Sequence, residues 1–190
     1  DSAALAGLDA DAMAALGSAQ IAAMSNAQVA ALGSDQLQGL TSVQLRGLTT
    51  AQIAALDSSD LNMLTGEQIA QLTTTQIAAL TSSQLGTMTS EDLAALTTAQ
   101  VRAIETRDLA GLDSADFAAL TSAQLGALTS AQLRALDSDD IVGLSATAVA
   151  GLTSAQIVGL TTSQLGALGS DQLQALTSVQ LRALTSAQIA

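Results

Sequence analysis

Large aliphatic side chains return at every eighth residue without an insertion or deletion: from Leu8 to Leu184 the position holds Leu except at Met24, Met88 and Ile104. A second apolar column stands three residues before the first, running from Leu5 through Met13, Ile21 and Val29 to Leu181 and Ile189, with Phe117 its one aromatic variant. Between them lie Thr, Ser, Gln, Ala and Gly. The chain thus divides into about twenty-four octads of consensus T-S-A-Q-(I/L)-A-(A/G)-L, nearly unmixed in Thr121-Ser122-Ala123-Gln124-Leu125. Octads are numbered here from residue 1, and positions one to eight within each.

Apolar columns spaced three and five apart would point to opposite faces of a pleated strand, so the pattern disfavours a β-solenoid. One unbroken α-helix fails as well, because at about 100° per residue each octad would turn its apolar stripe by ~80° and no partner could cover it. The helix must break once per octad. Position one is Thr, Asp, Ser or Gly in every copy but Glu105, and these are favoured helix N-caps. Position four is Gln or Asp in all but Ala4, Ala12 and Ala148, which is capping-box spacing. The large residues on either side, as Leu120 and Leu125 around Thr121, then occupy hydrophobic-staple positions.

The spacing therefore predicts one helix of about one and a half turns per octad, broken at positions one and two, where hydroxyl pairs such as Thr49-Thr50 and Thr73-Thr74 compete with helical bonds. Helices this short are unstable alone, so stacking must stabilise them. Position seven is Ala or Gly in nearly every copy, Met63, Gln71 and Thr87 excepted, which predicts close backbone approach. The expected fold is all-α: a repetitive α-solenoid of very short helices with a continuous Leu/Ile core. The pattern sets no number of octads per turn.

Residues 1–190 read as a single tandem array. A longer period overlies the octads, since the stretch 33–54, with its rare Gln38, Val43 and Arg46, is echoed at 169–190, displaced by 136 residues or seventeen octads. Such an echo is expected of a window on a longer series of duplicated blocks.

Composition narrows the function. Hydrophobic residues make up 48% of the chain, yet Cys, His, Trp, Tyr, Pro and Lys are absent and Phe117 is the sole aromatic. Five Arg against seventeen acids leave a net charge of −12, which opposes binding to nucleic acid or to anionic membranes. Polar residues recur within every octad, so no stretch reaches the ~18 apolar residues of a membrane helix. The start, Asp1 to Leu5, lacks a basic segment and an apolar signal core, so any targeting sequence is expected elsewhere.

Candidate chemistry is sparse. Without His, Cys, Lys or Tyr, acid–base work falls to carboxylates, and the many Ser and Thr hydroxyls lack a base. Asp57 with Asp60, Asp113 with Asp116, and Asp137 with Asp139 and Asp140 could offer oxygen ligands to calcium. Positions one and four nevertheless already explain most of these acids as caps and first-turn residues at the positive end of a helix. Arg46, Arg102, Arg134 and Arg182 all occupy position six, read as solvent-facing, while Arg102 and Arg107 are candidates to pair with Glu105 and Asp108. Phe117 reads as a core variant. No catalytic residue, cofactor-binding residue or metal site is expected, and the chain is not expected to be an enzyme.

Octads such as Leu72-Thr73-Thr74-Thr75-Gln76-Ile77-Ala78-Ala79-Leu80 resemble the LTxxQIxAL arrays of giant repetitive secreted proteins of Gram-negative bacteria. The resemblance covers the whole chain. It implies a surface adhesin or extracellular fibre, often exported by type I secretion, and hence an extracellular or cell-surface location. The expected function is structural: a repetitive rod forming a filament or adhesin stalk, with self-association into fibres through its mild Ala, Thr, Ser and Gln surface. The alternative is an ice- or matrix-binding solenoid presenting regular Thr and Ala arrays, unless capping consumes the Thr column.

Overall fold

The computed structural model describes Leu5 and residues 7–189. Ala4, one of the departures from Gln at position four, and the start at Asp1 lie outside the described residues. Within them the chain forms twenty-two short α-helices and one 3₁₀ helix, with no strand, one helix per octad. It is the expected all-α solenoid.

Each octad repeats one backbone itinerary. In octad 7, Thr49 is extended at φ −73 and ψ 158, its hydroxyl accepts from the Gln52 amide, and the helix runs Thr50–Ala55. Leu56 then leaves the helix at φ −61 and ψ 134, its amide donating to Ile53 O over 3.3 Å. The extended pair is therefore positions eight and one rather than one and two. Position two opens the helix, where an amide needs no intrahelical partner and a Ser or Thr side chain does no harm. Position eight has to leave it, because its side chain turns into the core and its carbonyl towards the next turn.

Glu105, the lone exception among the caps, heads the one octad that forms a 3₁₀ helix, Asp108–Gly111. Short Thr, Ser and Asp side chains reach back to the N3 amide, whereas the longer Glu105 makes no such cap, and the octad winds tighter.

The helices coil. Each packs against the helix three octads away along the chain, as Ser18–Ala22 with Ser42–Gly47 and Ser114–Ala119 with Ser138–Gly143. Side-chain bonds across turns span 25, 28 and 31 residues. A turn thus takes about 28 residues, or three and a half octads, and octads in successive turns are staggered by half a repeat. Columns five and eight fill the interior, with Ile53, Leu61, Leu93 and Phe117 at 0% exposure and Leu56, Leu96 and Leu128 at 2–4%. One continuous core runs along the coil.

Small residues at position seven meet position two of the turn before. Gly143 lies so close that an added Cβ would stand 2.7 Å from Ser114 O, and Gly111 similarly backs onto Ser82 O. The predicted close approach is present at these sites, and glycine is required there for space, since no residue among those described has positive φ.

Candidate functional site

The most elaborate polar feature is a ladder of glutamines at position four. In octad 16 the Thr121 hydroxyl accepts from Gln124 N at 3.3 Å and Gln124 Oε1 accepts from Thr121 N at 2.7 Å, completing the expected box. The other end of the same amide leaves the octad: Gln124 Nε2 donates to Leu93 O at 2.8 Å and Leu96 O at 2.7 Å, residues 31 and 28 earlier. Gln76, Gln100 and Gln164 repeat the arrangement. Each side chain is 2–3% exposed. The carbonyl of position eight, a loose end where a helix stops, thereby gains a partner from the next turn.

Capping logic alone did not reveal this clamp, because Glu and Gln serve the box equally well. The available signal was the absence of Glu: position four holds Gln, Asp or Ala and never Glu. Only Gln offers an acceptor to its own cap and a donor to the neighbouring turn. At the glycine caps, such as Gly169, only the returning half exists, with Gln172 Oε1 accepting from Gly169 N at 2.8 Å.

Of the acids singled out as calcium candidates, Asp57, Asp113 and Asp137 act as caps, while Asp116 and Asp140 accept from the amides of Asp113 and Asp137. Asp57 Oδ1 accepts from Asp60 N at 2.8 Å and from Ser59 Oγ at 2.7 Å, Asp113 Oδ1 from the amides of Ala115 and Asp116, and Asp137 Oδ1 from Asp140 N at 2.9 Å. The Ser59 hydroxyl and the Asp60 amide hold the Asp57 carboxyl below its ordinary range. Burial raises Asp60, Asp116 and Asp140, and at Asp60 the charge of Asp57 adds to it. Asp60 is 7% exposed, and its Oδ2 is the one buried side-chain oxygen or nitrogen without a partner among the described residues. It stands where other octads place a donor.

Position six faces outward as expected, but it also ties turns together. Gln38 Nε2 donates to Met63 O at 3.0 Å, Asn62 Nδ2 to Thr87 O at 2.7 Å, and Arg134 Nε to Gly159 O at 3.1 Å, all 25 residues ahead. Arg46 donates to Gln71 Oε1 at 2.7 Å. Of the anticipated ion pairs, Arg107 meets Glu105 at 2.9 Å and Asp108 at 3.3 Å on the exposed 3₁₀ octad. Arg102 takes no part in either. Phe117, wholly buried in column five, is a core side chain.

Ala95-Leu96-Thr97-Thr98-Ala99-Gln100 spells out the end of one octad, its extended link and the cap, staple and clamp of the next. The model of the ALTTAQ repeat matches in overlapping segments, 21–50, 29–65, 40–74, 53–90, 88–122, 101–138 and 133–170, which together span residues 21–170. The chain belongs to the ALTTAQ repeat family. No curated protein matches it. In physical terms the ALTTAQ signature is one clamp unit: Leu for the core, Thr for the cap, and Gln for the bond to the previous turn. No helix among the described residues is long and apolar enough to cross a membrane.

Proposed function

We propose that this ALTTAQ repeat chain is a non-catalytic structural element, a rod whose copies build an extracellular filament or an adhesin stalk. The observation that carries the reading is the clamp ladder. Side chains with polar chemistry are spent on holding each octad to itself and to the turn before, and the octads repeat without an interruption that could house a specialised site. Self-association suits a rod, and the cell-surface location rests on the resemblance to secreted repeat arrays. Electron microscopy of the purified chain, with protease shaving of intact producing cells, tests both parts. Slender particles and loss of the protein on shaving are expected, and compact particles protected inside the cell would sink the reading.

The ice- or matrix-binding alternative is less well supported. Most Thr hydroxyls at position one accept from an N3 amide, as in Thr41, Thr65 and Thr153, and several also donate to Gln Oε1. With three and a half octads per turn, Thr stacks on Thr only in every second turn, so no dense flat column forms. Absence of thermal hysteresis is the expected result.

A further inference from the structure

The half-octad stagger sorts the charged octads into separate flanks. Octads 2, 5, 9, 12, 15, 18 and 22 form a track of contacting octads whose first four share one side and whose last three drift further round the coil, joined by helix contacts from 2 to 5, 9 to 12, 12 to 15 and 15 to 18. Two clamps complete the track: Gln68 donates to Leu37 O and Leu40 O, and Gln172 to Ile141 O and Leu144 O. Every octad of this track carries at least one acid and none carries Arg. Six present an exposed carboxylate at position three: Asp11, Asp35, Glu67, Glu91, Asp139 and Asp171.

A second track passes through octads 3, 6, 10, 13, 17, 20 and 23. Helix contacts join 3 to 6, 10 to 13, 17 to 20 and 20 to 23, and the clamps of Gln76 and Gln132 supply the remaining links. It contains no acid at all, yet it carries Arg46, Arg102, Arg134 and Arg182, four of the five cations in the chain. All four are exposed, and Val43 and Val179 stand beside them at 62% and 63% exposure. Elsewhere along the coil position three is acidic, Ala, Ser, Thr or, once, Arg107, so Val43 gives the acid-free flank an exposed apolar side chain beside Arg46.

We propose that the acid-free Arg and Val flank of one copy docks on the acidic flank of a second copy, which makes the lateral contact between rods electrostatic and directional. The proposal rests on the self-associating rod put forward above and names the surfaces it uses. Octads 3, 6, 10, 13, 17 and 20, with Arg46, Arg102 and Arg134, lie on a different side of the coil from acidic octads 2, 5, 9 and 12, whereas Arg182 in octad 23 has drifted round to the side of octads 2 and 9. The contact is therefore heterologous: each copy offers one flank to one neighbour and the other flank to the next, and association continues past a dimer. A chain of net charge −12 would otherwise repel its own copies. Segregating the cations lets two such chains approach along one line, and salt should weaken the contact by screening it.

Sedimentation velocity of the full chain over graded concentration and salt tests this. The variant Arg46→Gln, Arg102→Gln, Arg134→Gln should weaken association about fivefold, as expected for three exposed ion pairs of a few tenths of a kcal/mol each. A control with the same change in net charge, Ala27→Glu, Ala51→Glu, Ser83→Glu, places its acids at exposed position-three sites off both flanks and should associate nearly as the parent does. A chain with Asp35→Arg, Glu67→Arg and Glu91→Arg should co-assemble with a chain carrying Arg46→Glu, Arg102→Glu and Arg134→Glu, though each alone stays dispersed. Circular dichroism checks that every variant keeps its helices, since Arg46 and Arg134 also bond across turns. The proposal is overturned if the Gln variant associates as tightly as the parent, or if salt strengthens association. It is equally overturned if the parent stays monomeric at all concentrations, an outcome that leaves the rod shape seen by microscopy standing.

Discussion

At Gln124 a single side-chain amide bonds at two different levels of structure: its oxygen accepts from the amide and hydroxyl of its own Thr121 cap, and its nitrogen donates to the carbonyls of Leu93, Ala94 and Leu96 in the preceding turn. Replacing it with Glu keeps the acceptor for Thr121 N but sets a charged acceptor against the carbonyls of Leu93 and Leu96. Gln124→Glu should therefore cost about 2–4 kcal/mol in chemical denaturation, more than Thr121→Ala at about 1 kcal/mol. Equal losses would show that the clamp to the previous turn contributes little. Asp60 is the converse. Its Oδ2 lacks a partner, and burial with the neighbouring Asp57 charge raises its carboxyl. A raised acid contributes its full stability below the ordinary carboxylate range and loses that contribution as pH rises through its folded value. Asp60→Gln should thus stabilise the coil by about 1–2 kcal/mol near pH 7 and by much less near pH 3.5, where the protonated acid can itself donate. A pH-independent gain would refute this account.

At the scale of the octad, nearly everything local was legible: caps, staple, helix length, and the small residue at position seven are all short-range consequences of residue type. Leu48 and Leu56 show where local reasoning stopped. Whether position two or position eight joins position one outside the helix depends on where a carbonyl must point, and its partner lies a full turn away in Gln76 or Gln84. For the same reason the number of octads per turn could not be read from one octad, although the absence of Glu at position four was a visible trace of the clamp. Glycines test the packing between turns. Gly111 backs onto Ser82 O, whereas Gly166, inside the helix Thr162–Ala167, has open space around it. Gly111→Ala should destabilise by about 2 kcal/mol or more through steric conflict, and Gly166→Ala should stabilise by about 0.5–1 kcal/mol through helix propensity. Thermal unfolding of the two variants distinguishes these signs, and a shared sign would contradict the packing.

For the whole molecule, three and a half octads per turn means that seven octads, 56 residues, restore the original side of the coil. Loss or gain of seven octads leaves acid-bearing and Arg-bearing flanks aligned, while a single octad turns everything beyond it to another side. The 136-residue echo sits between these cases, seventeen octads being half an octad short of five turns. Arg46 and its counterpart Arg182 accordingly stand half an octad apart round the coil, Arg182 on the side of octads 2 and 9. A blockwise duplication of this length makes the flanks drift slowly round the coil while every clamp and core contact stays in step.

The clamps also decide how such a chain would bear a load. Because each Gln joins its octad to the preceding turn, tension on the two ends is carried by successive small bonds and patches of core rather than by one long shared interface. Each turn that opens frees about 28 residues, roughly 90 Å of extended chain before its folded length is subtracted. Pulled as single molecules, the rods should give way in many short, similar steps and re-form in the same steps when relaxed; one full-length rupture would rule this out. A stalk built in this way yields gradually and absorbs work over a long extension, which is the behaviour of a shock absorber rather than of a rigid strut.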